Sequence, residues 1–224
     1  MSLLELLLPL RCTACGEPGS ELCERCRERL PRLCGPLCER CGAPTAWPVA
    51  RCLECAGRRI AFTSARSALL YSGAVPRLIG AWKERGLRRL AVVLAELVAE
   101  VIPAPQVKAL SCVPAQHERA LSRGFHPARA LALELAHIWE LPFVPLLARV
   151  GSPRRQRGLA LSERSRNVAD AFVALPGARS PTSICLIDDV YTSGATTSTC
   201  ASALRKIGCR RVEVIALARA VRER

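Results

Sequence analysis

Hydrophobic positions along residues 59–224 follow two periods in turn. Continuous apolar runs predict buried β-strands at 65–71, 107–113, 143–150, 184–187 and 212–218. Between them, apolar side chains recur at helical spacing, which predicts two helices, one marked by Leu90, Leu94, Leu97 and Val101 and one by Leu131, Leu135 and Ile138. Strands that alternate with helices predict an α/β fold with a parallel sheet covered on both faces, in which ligands bind at the carboxyl ends of the strands.

The run at 184–187 is followed at once by two carboxylates. We expect Asp188 and Asp189 to lie where this strand stops, at its carboxyl end. A short stretch of small and hydroxyl-bearing residues comes next, made of Thr192, Ser193, Gly194, Ala195 and Thr196. It leads into a helical pattern that Gly208 closes, so the sequence predicts a strand, a loop and the amino end of a helix.

This order of elements suits a sugar phosphate. Free backbone N–H groups at a helix start, beside hydroxyl donors and a glycine, form a pocket for a phosphate dianion. A carboxylate pair just before that pocket can hold vicinal hydroxyl groups or, through water, a magnesium ion. Ribose 5-phosphate offers both groups at this separation. The simpler alternative is that the two acids only end a strand and begin a turn, but a turn does not account for the hydroxyls and glycine that follow.

The same segment resembles the phosphoribosyl pyrophosphate (PRPP) signature of type I phosphoribosyltransferases, in which a hydrophobic strand and two acids precede a Thr-Thr-Gly-x-Thr loop. Here Ser193 stands in place of the second threonine. The resemblance implies a type I phosphoribosyltransferase-like fold that binds PRPP through Asp188, Asp189 and the loop 192–196. It also implies that magnesium binds with PRPP, and that Asp188 and Asp189 are the catalytic pair if the chain is an enzyme.

Cysteines dominate the first 58 residues. Eight of the thirteen cysteines fall in four Cys-x-x-Cys pairs, and two of these pairs open the longer phrase Cys-Gly-x-Pro, at 15–18 and 41–44. Each copy of this internal repeat supplies four thiolates, the ligand set of tetrahedral structural zinc. We therefore expect two structural zinc sites, one at Cys12, Cys15, Cys23 and Cys26, and one at Cys38, Cys41, Cys52 and Cys55.

Spacing alone leaves other uses of these thiolates open. One alternative is an interleaved pairing, in which the first Cys-x-x-Cys pair shares a metal with the third. An iron–sulfur cluster is a less favoured alternative. Cys34 is left over, and we expect it to pack as a small apolar residue rather than to replace a ligand. So small a segment cannot bury enough apolar area alone, so the metal should fold it. We place the double zinc ribbon at 1–58 and the phosphoribosyltransferase-like domain at 59–224.

The charge of the chain narrows the class of partner. The formal net charge is +14, and four thiolates around one dication leave −2 at each zinc site, which lowers the total to about +10. A basic chain favours a polyanionic partner or a phosphorylated substrate. No stretch reaches the roughly 18 apolar residues of a membrane span. The leucine-rich segment 3–8 is short and lacks a basic leader, so we expect a short helix there, no signal peptide and a cytoplasmic location.

Three basic clusters are expected near the acid pair. Lys83 lies between two helical stretches, and Arg119 and Arg123 follow the strand that ends at Pro114. We expect these three cations, with magnesium, to neutralise the pyrophosphate group of PRPP. The third cluster is the segment 154–167, which is expected to cover the site as a mobile hood. For each cluster the alternative is a solvated basic surface.

Taken in order, these features resemble the ComF (ComFC) competence proteins of naturally transformable bacteria. The order is two cysteine ribbons, Lys-x-x-Gly from Lys83, Arg-Gly-Phe from Arg123, Gln-x-x-Leu from Gln156, Glu-Arg-x-Arg-Asn from Glu163, and the PRPP loop. The chain departs from the family after Phe125, where His126 and Pro127 replace the usual Asn-Gln. We expect His126 to substitute for the asparagine as a hydrogen-bond donor.

The resemblance implies a cytosolic protein that binds PRPP and assists the uptake and transport of single-stranded DNA in natural transformation, with single-stranded DNA and a competence helicase as partners. The alternative is an active phosphoribosyltransferase of nucleotide or salvage metabolism, which releases pyrophosphate from PRPP; a third reading is a zinc-ribbon regulator that uses the fold as a sensor. Nine aromatic residues supply few platforms for stacking bases, so any DNA binding should depend on phosphate contacts.

Overall fold

A computed structural model describes residues 10–115, 124–150 and 171–221. Within these ranges the helices are α1 (Glu24–Glu28), α2 (Val75–Glu84), α3 (Leu90–Val101), α4 (Pro127–Ile138) and α5 (Ala195–Lys206). The strands are β1 (Ser64–Leu70), β2 (Ala109–Cys112), β3 (Leu147–Arg149), β4 (Phe172–Ala174), β5 (Ser183–Tyr191) and β6 (Arg211–Arg219). The predicted helices at 90–101 and 131–138 are confirmed, and the strand predictions at 65–71 and 212–218 agree with β1 and β6 to within a residue.

A four-stranded parallel sheet in the order β1-β6-β5-β2 forms the centre of the fold. Successive side chains of a strand point to opposite faces. On β5, Cys185 and Ile187 accordingly pack with α2, α3 and α4, whereas Ile184 and Leu186 pack with α5, β3 and β4. Both faces of the sheet are therefore covered, as the alternation of strands and helices predicts.

Strand β5 is longer than its apolar run. The prediction that it stops at the acid pair is wrong, because β6 continues beside it and pairs Asp188 with Ala216 and Tyr191 with Arg219. On its other side, β2 follows β5 only as far as Ile187. The last residues of β5, from Asp188 onward, therefore pair with a strand on one side only. The acid pair lies at the edge that is left open where β2 ends.

The apolar run 143–150 is not a strand of the parallel sheet. Phe143 makes a single parallel bridge to Leu110, and then Leu147–Arg149 pairs in antiparallel fashion with Phe172–Ala174 in a separate two-stranded sheet. Pro145 interrupts the run, and proline has no N–H to donate to a strand ladder. The run is therefore divided between two partners.

The amino-terminal segment packs directly on the second domain. Residues 31–33 run antiparallel beside β1, since Leu70 N–H donates to Pro31 O at 2.7 Å and Leu33 N–H donates to Ala68 O at 2.8 Å. The guanidinium group of Arg27 pairs with Glu96 at 3.1 Å and also with Glu100, both on α3. The first ribbon is therefore fixed to the sheet and to α3.

The second ribbon packs against the other end of the same strand. Ala65 N–H of β1 donates to Arg40 O at 3.0 Å. Gly42 lies so close to β1 that a Cβ atom on it would lie 2.5 Å from Ala65 O. Its backbone also has φ +70°, so glycine is required here for two reasons.

The helix expected at 3–8 lies outside the described residues. Among the helices of the described ranges, none has the length and apolar character needed to cross a membrane.

Candidate functional site

Two carboxyl groups project at the carboxyl end of β5. Asp188 and Asp189 are both partly buried, and Oδ1 of Asp188 accepts a hydrogen bond from the backbone N–H of Asp189 at 2.9 Å. Successive side chains of a strand point to opposite faces, so the two carboxyl groups approach a ligand at the strand end from different sides.

The carboxyl group of Asp188 resists ionisation. Burial is the main cause and the adjacent Asp189 carboxylate adds to it, and together they raise the pKa of Asp188 to about 8. The Lys83 ammonium group acts in the opposite direction. A carboxyl group with so high a pKa can carry a proton near neutral pH, which is typical of functional sites.

Helix α2 brings Lys83 to the acid pair. The ammonium nitrogen of Lys83 lies 2.7 Å from Oδ2 of Asp189. Both side chains keep about a fifth of their surface exposed, 20% and 21%, so the pair remains accessible to a ligand. The structure thus brings together the first basic cluster and the two acids, which are more than 100 residues apart in the sequence.

The predicted phosphate loop turns sharply at Gly194. This residue precedes α5 with φ +73° and ψ 9°, in the left-handed region that favours glycine. A Cβ atom at this position would collide with the hydroxyl group of Tyr191 and would lie 2.6 Å from ring carbon Cζ. Both backbone conformation and close packing therefore require glycine here.

The loop is largely accessible to a ligand, although the N–H group of Ala195 donates to Oγ of Ser193 at 3.4 Å. Thr192, Ala195 and Thr196 are exposed, and the first backbone N–H groups of a helix have no partner within the helix. Thr197, in contrast, is buried and its hydroxyl donates to Gly194 O at 3.1 Å. Its side chain holds the turn, whereas the preceding residues face outward, as an anion site at a helix start requires.

The Gly-Phe part of the second basic cluster lies against the end of α2. The Phe125 ring packs on Trp82 with 6.4 Å between ring centroids, and the Arg88 guanidinium group lies 5.7 Å from the centroid of the Phe125 ring. Arg88 also donates to Gly124 O at 2.7 Å. Arg119 and Arg123, which we expected at the pyrophosphate, lie outside the described residues, as does the hood at 154–167.

His126 does not act as the expected donor. Its Nε2 lies 2.6 Å from the backbone nitrogen of Ala115, and its Nδ1 lies 3.1 Å from that of Arg129. Both ring nitrogens face N–H donors, and a neutral imidazole has a single acceptor nitrogen, so only one of these contacts is a hydrogen bond at a time. Burial lowers the pKa of His126, which favours the neutral, accepting form. The residue therefore accepts either from Arg129, where it caps α4, or from Ala115, in the chain that follows β2.

Two clusters of four cysteines fit tetrahedral metal sites. They are Cys12, Cys15, Cys23 and Cys26, and Cys38, Cys41, Cys52 and Cys55, and the sulfur atoms of each set lie within 4.8 Å of one another. A Zn–S bond of about 2.3 Å places tetrahedral sulfur ligands about 3.8 Å apart. In the second cluster the measured separations are 3.6 Å for Cys38 and Cys55 and 3.5 Å for Cys41 and Cys52. The thiolate sets therefore fit zinc.

Each cluster is made of two Cys-x-x-Cys pairs that are consecutive in the sequence, so the interleaved pairing is wrong. The backbone N–H groups of Cys23 and Cys52 point at the sulfur atoms of Cys12 and Cys38, at 3.4 and 3.3 Å, which stabilises the thiolate form. Cys34 belongs to neither cluster, and it is exposed. The expectation that it packs as an apolar residue is wrong, because its position falls between the two ribbons and outside both cores.

Comparison with known proteins agrees with the geometry. The double zinc ribbon domain family matches residues 3–57. Competence protein F of Haemophilus influenzae is 27% identical over 209 residues, which cover 89% of this chain and 90% of the relative. Most of the chain is therefore similar to a competence protein. DNA utilization protein YhgH of Salmonella typhimurium is 28% identical over 230 residues, which cover 96% of the chain and 99% of the relative.

Among solved structures, the glutamine PRPP amidotransferase of B. subtilis complexed with ADP and GMP aligns with 57% of this chain at 18% identity and a TM-score of 0.43. The alignment covers 26% of the amidotransferase chain. The parallel sheet and the ribbon match confirm the coarser fold prediction, a parallel-sheet α/β domain preceded by a small cysteine-rich zinc-ribbon domain.

The chain has site features that sequence reasoning missed. Tyr191 directly precedes the loop and is buried, but as a single tyrosine at a strand end it carries no motif. Arg219 lies at the far end of the chain and is 1% exposed. Its contact with the Tyr191 ring, 4.7 Å from Cζ to the ring centroid, depends on the pairing of β5 with β6.

A basic groove of the protein was also missed. It has a volume of about 340 Å³ and lies between the chain that follows the second ribbon and the outer face of α5. Arg58, Arg59 and Lys206 supply cations, and Ser198, Thr199 and Ser202 supply hydroxyl groups. The serines and threonine recur at helical spacing, a signal that could have marked one face of α5 as polar.

Proposed function

We propose that this chain is a ComF-like, cytoplasmic, PRPP-binding protein that assists the uptake and transport of single-stranded DNA in natural transformation. Support for the DNA role comes from relatives that are named competence and DNA utilization proteins and match most of the chain. Support for PRPP binding comes from the site itself. Single-stranded DNA and a competence helicase are the partners we propose.

One observation carries the PRPP assignment. The acid pair on β5 and the Gly194 turn at the start of α5 belong to a single strand, turn and helix. A ligand seated there meets carboxylates, which accept hydrogen bonds from hydroxyl groups, and then backbone N–H groups, which donate to phosphate. A ribose with a 5-phosphate presents its groups in this order.

Each part of the site then has a role. The loop 192–196 would anchor the 5-phosphate, while Asp188 and Asp189 would accept hydrogen bonds from the 2- and 3-hydroxyl groups. Lys83, which is 2.7 Å from Asp189, would turn towards the pyrophosphate, together with Arg119 and Arg123. Magnesium, when bound with PRPP, would neutralise the pyrophosphate charge.

Binding should release a proton. The pKa of Asp188 is about 8, so the group is largely protonated at pH 7. Ribose hydroxyl donors and a cation both stabilise the ionised carboxylate. We expect PRPP and magnesium together to lower the pKa of Asp188 and to displace its proton into the solvent.

Calorimetry with PRPP and magnesium tests this assignment. We expect saturable binding with the wild-type chain, and a binding enthalpy that changes with the ionisation enthalpy of the buffer because a proton leaves. Asp188→Asn with Asp189→Asn should abolish binding. The matched control is Glu24→Gln with Glu28→Gln, which removes two exposed acids from α1 and should leave the affinity unchanged. Equal affinity in both double variants would reject the site.

The basic groove beside α5 supports a DNA contact. Arg58, Arg59 and Lys206 are all exposed, and cations that contact phosphates make nucleic-acid binding depend on salt. We propose that one stretch of the DNA backbone lies in this groove. Replacing these three cations with glutamine should reduce the slope of log K against log salt by about 2, at about 0.7 for each lost contact with a single strand.

A matched variant separates local contact from general charge. Arg77→Gln, Lys108→Gln and Arg179→Gln also remove three exposed cations but lie away from the groove, and the slope should then stay within experimental error. If both triple variants reduce the slope equally, DNA does not lie in this groove. In the cell, a strain without the protein should import and integrate single strands poorly; normal transformation would reject the competence role.

The second candidate is an active phosphoribosyltransferase of nucleotide or salvage metabolism. The observation that favours it is the pKa of Asp188, because a carboxyl group that titrates near pH 8 can exchange a proton with an acceptor during transfer. Pyrophosphate release from PRPP, measured across a panel of bases and amines, distinguishes the two functions. Turnover with a single acceptor supports the enzyme, and binding without turnover supports the first candidate.

A further inference from the structure

Arg219 is a buried cation at the carboxyl end of β6, and it contacts the second cysteine cluster. Its Nη1 donates to the backbone oxygen of Cys41 at 2.7 Å. Its Nη2 pairs with Oε2 of Glu54 at 2.6 Å, and Glu54 lies between the cluster members Cys52 and Cys55. One guanidinium group therefore joins both metal-binding knuckles of the second ribbon.

The same guanidinium group lies over the ring of Tyr191. The distance from Arg219 Cζ to the ring centroid is 4.7 Å, and Phe62 packs edge-on against this ring with 6.2 Å between centroids. The backbone of Tyr191 is fixed as well, because its oxygen accepts from Ala220 N–H at 2.9 Å. The ring is therefore held between two side chains, and its backbone is fixed by the pairing of β5 with β6.

Tyr191 in turn limits the path of the phosphate loop. Its hydroxyl group occupies the space that a side chain at Gly194 would need. Gly194, with φ +73° at the start of α5, therefore packs directly against this ring. A contiguous set of contacts therefore connects the second cysteine cluster to the loop, through Arg219 and Tyr191.

We propose that Arg219 is a positioning residue through which the metal-bound second ribbon holds the phosphate loop in its binding shape. A buried guanidinium is stable only while its partners are present. If the second ribbon loses its metal and unfolds, Arg219 loses the carbonyl of Cys41 and the carboxylate of Glu54 together, and its cation no longer covers Tyr191. The ring then becomes free to move, and with it the turn at Gly194.

The two ribbons differ in their contact with the phosphate loop. The first cluster packs with the helices on the opposite face of the sheet, and its own arginine anchor, Arg27, pairs with Glu96 and Glu100 on α3. The second cluster shares its hydrophobic core with Tyr191 and Phe62, and buried residues of α5 belong to the same core. Occupancy of the second metal site, and not the first, should therefore control phosphate affinity.

The inference rests on the proposed sugar-phosphate site, and the experiment separates the two. Arg219→Met removes the cation and keeps most of the side-chain length, and Arg27→Met is the matched control that removes the corresponding anchor of the first ribbon. Both variants should retain about two zinc ions per chain by mass spectrometry of the native protein. The probe is ribose 5-phosphate, which tests the loop and the acid pair without the pyrophosphate group, and binding is followed by NMR of backbone amides.

We expect Arg219→Met to weaken ribose 5-phosphate binding by about 2- to 30-fold, the range of coupling carried by packed networks. Arg27→Met should bind within about twofold of wild type. Without ligand, the Gly194 and Thr196 amide resonances should shift in Arg219→Met and stay in place in Arg27→Met. Wild-type resonances and affinity in Arg219→Met would overturn the inference. If wild type itself does not bind the probe, the proposed site fails, and the amide shifts alone decide the role of Arg219.

A second pair of variants tests the metal directly. Cys52→Ser and Cys15→Ser each remove one ligand, from the second and the first cluster, and each should lower the zinc content to about one per chain. Only Cys52→Ser should weaken ribose 5-phosphate binding and shift the Gly194 amide. Equal effects of the two variants, or no effect of Cys52→Ser once the zinc is lost, would contradict control by the second site.

Discussion

The ammonium group of Lys83 on α2 lies 2.7 Å from Oδ2 of Asp189 on β5. The contact places a partly exposed cation next to the acid pair. It also keeps one of the two carboxylates neutralised. A ligand that carries both hydroxyl groups and pyrophosphate can separate Lys83 from Asp189. The carboxylate then accepts hydrogen bonds from the hydroxyl groups, and the ammonium group pairs with the pyrophosphate.

The first prediction concerns this cation. Lys83→Met should weaken PRPP binding on the order of tenfold, equivalent to about 1.4 kcal/mol, because a cation that faces the pyrophosphate is lost. It should also raise the pKa of Asp188, since the Lys83 charge lowers that pKa in the folded chain. Calorimetry at two pH values measures both effects. Arg77→Met, which removes an exposed cation from the same helix, should change neither.

The second prediction concerns stability against pH. The ordinary pKa of the Asp188 carboxyl is 3.8, and in the folded chain it is about 8. Between these values the folded chain holds a proton that the unfolded chain has released, so the free energy of unfolding falls as pH rises, by at most about 1.4 kcal/mol per pH unit. Asp188→Asn removes this dependence.

Thermal unfolding of the zinc-loaded protein between about pH 6 and 8 measures the effect. Asp188→Asn should be more stable than wild type at the upper end of this window, with a smaller advantage at the lower end. Glu28→Gln, which changes an exposed acid, should follow the wild-type curve. Parallel curves for Asp188→Asn and wild type would show that Asp188 does not carry the raised pKa.

The third prediction concerns the turn at Gly194. Gly194→Ala should destabilise the fold by more than Gly177→Ala, although both positions have φ close to +70°. The backbone cost of about 1–2 kcal/mol is common to both, but a Cβ at Gly177 has no neighbour within 4 Å, whereas one at Gly194 collides with Tyr191. Denaturant unfolding gives both values. Equal losses would show that Tyr191 does not constrain the turn.

The fourth prediction concerns the metal count. The zinc-loaded chain should contain about two zinc ions, and Cys34→Ser should not change this number, because Cys34 is exposed and belongs to neither cluster. Cys38→Ser should lower it to about one. A colorimetric zinc assay after thiol modification measures the content. A drop in Cys34→Ser to the value of Cys38→Ser would mean that Cys34 is a ligand.

Local patterns predicted much of this fold. The four Cys-x-x-Cys pairs carry their chemistry in short spacing, and the acid pair and the Gly194 loop lie on one continuous strand, turn and helix, so each could be predicted without knowing the rest of the chain. The helices at 90–101 and 127–138 have clear apolar periodicity. Such features depend on neighbours within a few residues.

Long-range pairing could not be predicted in the same way. An apolar run does not state its partner, so the division of 143–150 between Leu110 and β4 became visible only with the strands in place. The length of β5 beyond its apolar run depends on β6. The Arg219 contact with Cys41 joins residues 178 positions apart, and no motif marks either of them for the other.

The short segment 31–33 that lies beside β1 has a consequence for the handling of the protein. Its N–H and C=O groups pair with Ala68 and Leu70, so the outer side of β1 does not present a bare row of hydrogen-bonding groups. Unpaired edges of this kind recruit strands from other molecules. Chelators that remove the metal from the first ribbon should therefore expose the edge of β1 and cause the protein to self-associate through its sheet.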